Sequence, residues 1–162
     1  MANIDFNAAF QAGRETEIAV YNNYKEQYDV IHQDEKEVFP TPDEFKNRQG
    51  YEYTKAPDLF FRNIEEHGAY FEVKNSPKMF KRPDLEWYYL MGLYSGLPVY
   101  IITRGEPEWI VIDVMYLCRN ILPNVEWREA EPQNRILSKY ILTEDYLEIT
   151  KMFKPFHELF TC

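Results

Sequence analysis

Apolar and polar residues recur with helical period over the first segment of the chain. Phe6, Phe10, Gly13, Glu17, Val20 or Tyr21, Tyr24, Tyr28 and Ile31 fall at spacings of three and four, which predicts a helix over about residues 5–32 with one packed face. Glu17 is the odd member of that stripe. A lone buried carboxylate is costly, so Glu17 needs a partner or a cation, whereas Glu15 lies off the stripe and reads as solvated. Residues 33–50 are polar and carry Pro40 and Pro42, which predicts a loop with a short helix over 41–48. A strand over 51–53 is weakly marked. The aromatic-rich run 58–62 and the run 69–75 are better strands, joined by a polar turn that ends at His67-Gly68. Pro83 suits a first helical position and Gly96 a helix end, with Leu85, Tyr88 or Tyr89, and Gly92 or Leu93 at helical spacing between them. Residues 97–103 form a buried-type strand and 109–114 another, separated by the turn Gly105-Glu106-Pro107. No clear period runs through 115–142, and Thr143 has the residue type of an N-cap for a helix reaching about Lys154, stopped by Pro155. The strand–helix–strand passage from 69 to 103 predicts a crossover and a parallel pair.

With 162 residues, 45% hydrophobic and 17% aromatic, the chain has material for one packed core and is not a disordered composition. No apolar run is long enough to span a bilayer, and the first residues show no basic-then-apolar leader pattern, so the expectation is an intracellular protein with no membrane partner. Cys118 and Cys162 do not form a metal-binding spacing and read as reduced thiols. The net charge of −9 opposes indiscriminate nucleic-acid binding, which rests on Lys and Arg. A local exception stands out. Between Lys74 and Arg82 lie the cations Lys74, Lys78, Lys81 and Arg82 and no acid, so Lys78, Lys81 and Arg82 are candidates for phosphate contact.

The chemistry concentrates in two short elements, Pro57-Asp58 and Glu72-Val73-Lys74. Strand side chains alternate faces, so Phe71 and Val73 point one way and Glu72 and Lys74 the other. Folding the chain about Glu65 sets Asp58 opposite Glu72. Two carboxylates and an ammonium then share one patch, able to hold a hard divalent cation on oxygen ligands with a lysine beside an activated water.

This pattern resembles the signature of the PD-(D/E)XK nuclease superfamily, a group of restriction endonucleases, Holliday-junction resolvases, phage exonucleases and viral RNA endonucleases. The resemblance spans about residues 10–104. It implies an α/β, restriction-endonuclease-like fold: an αβββαβ core with a mixed central sheet flanked by helices, a C-terminal helical extension, and one nuclease-like domain over 1–162. It implies metal-dependent hydrolysis of phosphodiester bonds in nucleic acid, DNA ahead of RNA. Asp58 and Glu72 would hold Mg²⁺ or Mn²⁺, with the Val73 carbonyl as a further ligand. Lys74 would orient or deprotonate the attacking water or offset charge. Members often carry a glutamate on the first core helix facing the metal, a role that maps to Glu17, with Glu15 as fallback. Viral RNA endonucleases add a histidine from the first helical region, for which His32 is the candidate. Many members place a Gln on the helix after the Glu-x-Lys strand. Residues 84–95 contain none, leaving Glu86, or Lys81 and Arg82, to substitute. Trp87, Tyr88 and Tyr89 are candidates to stack on bases or to fill the core. The competing readings are an inactive relative that binds nucleic acid or protein, and an unrelated α/β adaptor. Homo-oligomerisation or a protein partner fits either.

Overall fold

A computed structural model describes residues 6–32, 57–129 and 139–160 of the chain. The helix expected over 41–48, the strand over 51–53 and Cys162 lie outside the described residues. Helix α1 (Phe6–Tyr24) is followed by strands β1 (Val30–His32), β2 (Leu59–Phe61), β3 (Ala69–Val73) and β4 (Met79–Lys81), then helix α2 (Arg82–Ser95). Strands β5 (Val99–Thr103) and β6 (Ile110–Asp113) come next, then a helical turn α3 (Val114–Tyr116) that runs into a π-helical turn at Leu117–Ile121 and a 3₁₀ turn at Leu122–Asn124. Beyond it lie β7 (Arg128–Glu129), β8 (Lys139–Leu142), helix α4 (Leu147–Met152), β9 (Lys154–Pro155) and a 3₁₀ turn at Phe156–Phe160.

The main sheet has the order β1-β2-β3-β5-β6-β9. β3 and β5 are parallel, as the crossover through α2 requires, and the other pairs are antiparallel. This is a mixed sheet flanked by helices, with the α1-β1-β2-β3-α2-β5 succession of the restriction-endonuclease-like core. All five residues of β3 and all five of β5 are buried, because both faces of the central strands are covered. On one face, Val20 and Tyr24 of α1 pack with Leu59, Phe61, Phe71, Val73, Tyr100 and Ile102. On the other, Leu85, Trp87 and Tyr88 of α2 pack with Tyr70, Val99, Ile101 and Ile112. Each such side chain contributes about 1.5–3 kcal/mol on burial, so this alternation fixes the face of every strand residue.

The first helix is shorter than its apolar period. It ends at Tyr24, and Val30–His32 turn out to be an edge strand paired with β2. Its buried line is Thr16, Val20 and Tyr24: Val20 and Tyr24 lie on the predicted stripe, and Thr16 takes the place expected of Glu17. Gly13 is exposed and Glu17 flanks the core. The Thr16 hydroxyl lies 2.8 Å from both the Ala12 carbonyl and Asn75 Oδ1, so a polar residue can occupy the packed line without an orphaned group.

The β2–β3 turn depends on Gly68. Its φ is +93°, and a Cβ there would stand 2.5 Å from the Phe60 ring and 2.9 Å from the Phe61 carbonyl. Helix α2 begins and ends where its punctuation predicts. Pro83 lies in its first turn, Asp84 places negative charge at its N-terminal end, and Gly96 closes it in the left-handed conformation with its N–H on the Gly92 carbonyl at 2.9 Å.

The C-terminal part carries strands as well as helical turns. β4, β8 and β7 form a separate antiparallel sheet, and β9 extends the main one. Thr143 is not the N-cap that its residue type predicts. Its hydroxyl donates to the Pro77 carbonyl at 2.8 Å and its N–H to the Lys78 carbonyl at 2.9 Å. It therefore pins the end of β8 to the start of β4, and the helix starts only at Leu147. No helix of the described residues is long and apolar enough to cross a membrane.

Candidate active site

The β2–β3 register pairs Leu59 with Phe71 and Phe61 with Ala69. One step further sets Asp58 opposite Glu72, the relation expected from folding about Glu65. Phe60 and Tyr70 face α2, so Asp58, Glu72 and Lys74 share that face by alternation. A reciprocal pair of hydrogen bonds fixes them. The Asp58 N–H donates to Glu72 Oε2 at 3.2 Å, and the Val73 N–H donates to Asp58 Oδ2 at 2.9 Å. The Lys74 N–H goes the other way, to the Ile102 carbonyl of β5. Val73 thus turns its backbone toward the β2 side. Its carbonyl shares that side with the Asp58 carboxylate, since both polar groups of a strand residue point the same way.

This proximity is electrostatically uphill. Burial, and then the negative charge of Glu17, push the Asp58 carboxyl up to about 6. Burial, and then the charge of Asp58, hold Glu72 well above the usual carboxylate range. Glu72 is 9% exposed. Lys74 offsets part of the charge at both carboxyls, but its ammonium is nearest to a third acid, Asp84 Oδ2 at 3.5 Å. The same ammonium lies 6.0 Å from the centre of the Tyr88 ring, whose hydroxyl donates to Glu72. Burial and the Glu72 charge hold that phenol well above its ordinary range.

Glu17 approaches from α1. Its carboxylate is 3.0 Å from His32 Nδ1, and the His32 ring lies over Tyr21 with centroids 4.4 Å apart. Glu15 is exposed and accepts from the Gln11 amide at 3.3 Å, so of the two glutamates it is Glu17 whose charge reaches Asp58. Lys78 and Lys81 are exposed just beyond the Glu-x-Lys strand. Arg82 is not available in the way its position in the basic run predicts. Its guanidinium pairs with Glu86 at 2.7 Å and stacks over Trp127 at 5.4 Å. The same pairing takes Glu86 away from the site. Trp87 and Tyr88 are 2% and 3% exposed, which makes them core residues and not base-stacking platforms. Asp84 and Tyr88 are the site residues that sequence reasoning passed over. Their spacing of four behind Pro83 was the available signal, because it puts both on one face of α2.

A divalent ion suits the donors present. Asp58, Glu72 and the Val73 carbonyl are hard oxygens, and two carboxylates with raised proton affinity, one buried and one half-buried, are relieved by a cation as they are by a proton. Among the described residues no group of three His, Cys, Asp or Glu side chains converges on one point.

No protein-family model and no curated protein matches the chain. Among solved structures it is similar to Hjc, a Holliday junction resolvase from the archaeal hyperthermophile Archaeoglobus fulgidus. The two are 14% identical over 91% of this chain and 93% of that one, with a TM-score of 0.51. It is also similar to D212, a nuclease from a fusselovirus, at 10% identity over 98% and 92% of the two chains, with a TM-score of 0.46. The fold is thus restriction-endonuclease-like, as the sequence leads one to expect.

Proposed function

We propose that the protein is a divalent-metal-dependent nuclease that hydrolyses phosphodiester bonds, with DNA as the preferred substrate. The observation that carries this reading is the bonding of the Asp58 N–H to Glu72 and of the Val73 N–H to Asp58, which keeps two mutually repelling carboxylates on one face of the sheet. A fold with no use for that patch would be more stable without it. Asp58, Glu72 and the Val73 carbonyl would hold Mg²⁺ or Mn²⁺. When bound, the ion supplies a water of lowered pKa and charge for the phosphoryl oxygens. Lys74, as an ammonium beside Asp84, has protons to donate and no lone pair. It therefore holds the attacking water or a phosphoryl oxygen in place and meets the negative charge that develops as water adds to phosphorus and the ester oxygen leaves. Glu17 orients a water at the α1 side. Lys78 and Lys81 contact the phosphates of the bound strand without reading bases.

The test is cleavage of labelled single-stranded, duplex and four-way branched DNA, and of RNA, in Mg²⁺, Mn²⁺ and EDTA. Branched DNA belongs in the panel because a resolvase has a similar fold, even though α2 lacks the Gln found in many resolvases. The expected result is cleavage with Mg²⁺ or Mn²⁺ and none with EDTA. Binding with no cleavage of any substrate would instead favour a module that kept the fold and lost the chemistry.

A further inference from the structure

Two residues of α2 touch the Glu72-Val73-Lys74 strand, and neither belongs to the two elements that carry the chemistry. Asp84 is in the first turn and Tyr88 one turn on, so both project from the same side of the helix. Asp84 Oδ2 is 3.5 Å from the Lys74 ammonium. The Tyr88 hydroxyl donates to Glu72, while the Tyr88 ring lies 6.0 Å below the same ammonium. Tyr88 therefore contacts both Glu72 and Lys74, and it is rigid because it is 3% exposed in the core. The other helix pair at this spacing, Arg82 with Glu86, closes on itself and on Trp127.

We infer that Asp84 and Tyr88 are positioning residues of this site: Tyr88 sets the Glu72 carboxylate and Asp84 tethers the Lys74 ammonium, so that α2 fixes the spacing between metal ligand and lysine. This rests on the nuclease reading for its catalytic meaning but not for its geometry.

The test uses the full chain with Asp84→Asn, Asp84→Glu and Tyr88→Phe. Three quantities are read: Mg²⁺ affinity by calorimetry, kcat and KM on a substrate that the unaltered protein cuts, and the Lys74 Nζ resonance in ¹⁵N-lysine-labelled protein. Groups that orient ligands in this way change affinity or rate by about 10–100-fold. Tyr88→Phe keeps the ring and should weaken Mg²⁺ binding by about tenfold. Asp84→Asn should lower kcat by about tenfold or more with KM and Mg²⁺ affinity within about threefold, and should move the Lys74 resonance toward that of exposed lysines. Asp84→Glu should restore most of both. A purely structural role would lower the melting temperature and leave the Lys74 resonance and the kcat-against-KM split unmoved. If Asp84→Asn and Tyr88→Phe leave all three readouts unchanged while Lys74→Ala abolishes cleavage, the positioning inference is wrong and the nuclease reading stands. If the unaltered protein neither binds Mg²⁺ nor cuts, the nuclease reading falls, and an unmoved Lys74 resonance in Asp84→Asn overturns the tether on its own.

Discussion

On the α2 side of the sheet, Glu72 is 9% exposed and is held by the Tyr88 hydroxyl and the Asp58 N–H. On the α1 side, the Glu17 side chain is 26% exposed and its partner is the His32 ring, itself 46% exposed. Both glutamates belong to one candidate site, yet their surroundings differ in kind. The α2 side holds Glu72 out of solvent, with the Asp58 N–H and the Tyr88 hydroxyl as its donors. The α1 side holds an acid that water can reach and whose partner is itself exposed. Chemistry that needs fixed distances belongs on the first side, and a role through water belongs on the second. The electrostatic cost reaches both sides, since the Glu17 charge also raises Asp58, but burial makes it largest on the α2 side.

The sharpest way to break this comparison is Lys74→Ala. Cleavage should fall by roughly a hundredfold or more, a typical loss for an electrostatic or acid–base group, with fold and Mg²⁺ binding retained. Unchanged cleavage in a single-turnover assay would remove the α2 side from the chemistry.

Asp58→Asn tests the electrostatic cost. Folded Asp58 is raised to about 6, and an unfolded Asp titrates near about 4. The folded state thus holds the proton more tightly. Its stability contribution is complete below about pH 4 and is lost as pH rises through about 6. In EDTA at pH 7 the Asn variant should be more stable than the unaltered protein by about 1–3 kcal/mol, and the gain should vanish near pH 4. Denaturant melts across that range decide it. A variant less stable at pH 7 would show that the pair is held by its hydrogen bonds at a net profit.

Glu17→Gln should reduce metal-dependent cleavage by about tenfold, and Glu15→Gln by less than about twofold. Equal losses would erase the distinction between the two sides. The smallest effects belong to the basic stretch. Lys78→Ala or Lys81→Ala should lower the salt slope of DNA binding by about one unit for any sequence. Arg82→Ala should act on stability instead, through lost packing on Trp127, and a melt beside the binding titration separates the two.

The parts legible in the sequence were those governed by local rules. The hairpin symmetry about Glu65 put Asp58 opposite Glu72, because a strand's two-residue period leaves no freedom once the turn is fixed. Pro83 and Gly96 marked α2 because ring closure and the left-handed φ act on single residues. What failed depended on distant partners. Thr143 has the chemistry of a cap, but the Pro77 carbonyl claimed its hydroxyl from 66 positions away. The stretch after Val114 showed no clear period because a π turn, a 3₁₀ turn and short strands each follow different repeats. The sequence marks Tyr88 only as a core or base-stacking residue and does not single out Asp84. A helix face identifies its neighbours only when the opposing strand is known.

The two hydrogen bonds that hold this pair each join a backbone N–H to a carboxylate, Asp58 N–H to Glu72 and Val73 N–H to Asp58. The main chain itself stores the distance between the two acids, and every amino acid supplies the same main chain. Such a site makes few demands on the residues around it. Neighbouring positions are then free to drift over long divergence, limited mainly by the need to stay apolar and of suitable size. A chain of this architecture can share only 14% of its residues with a structure of similar fold.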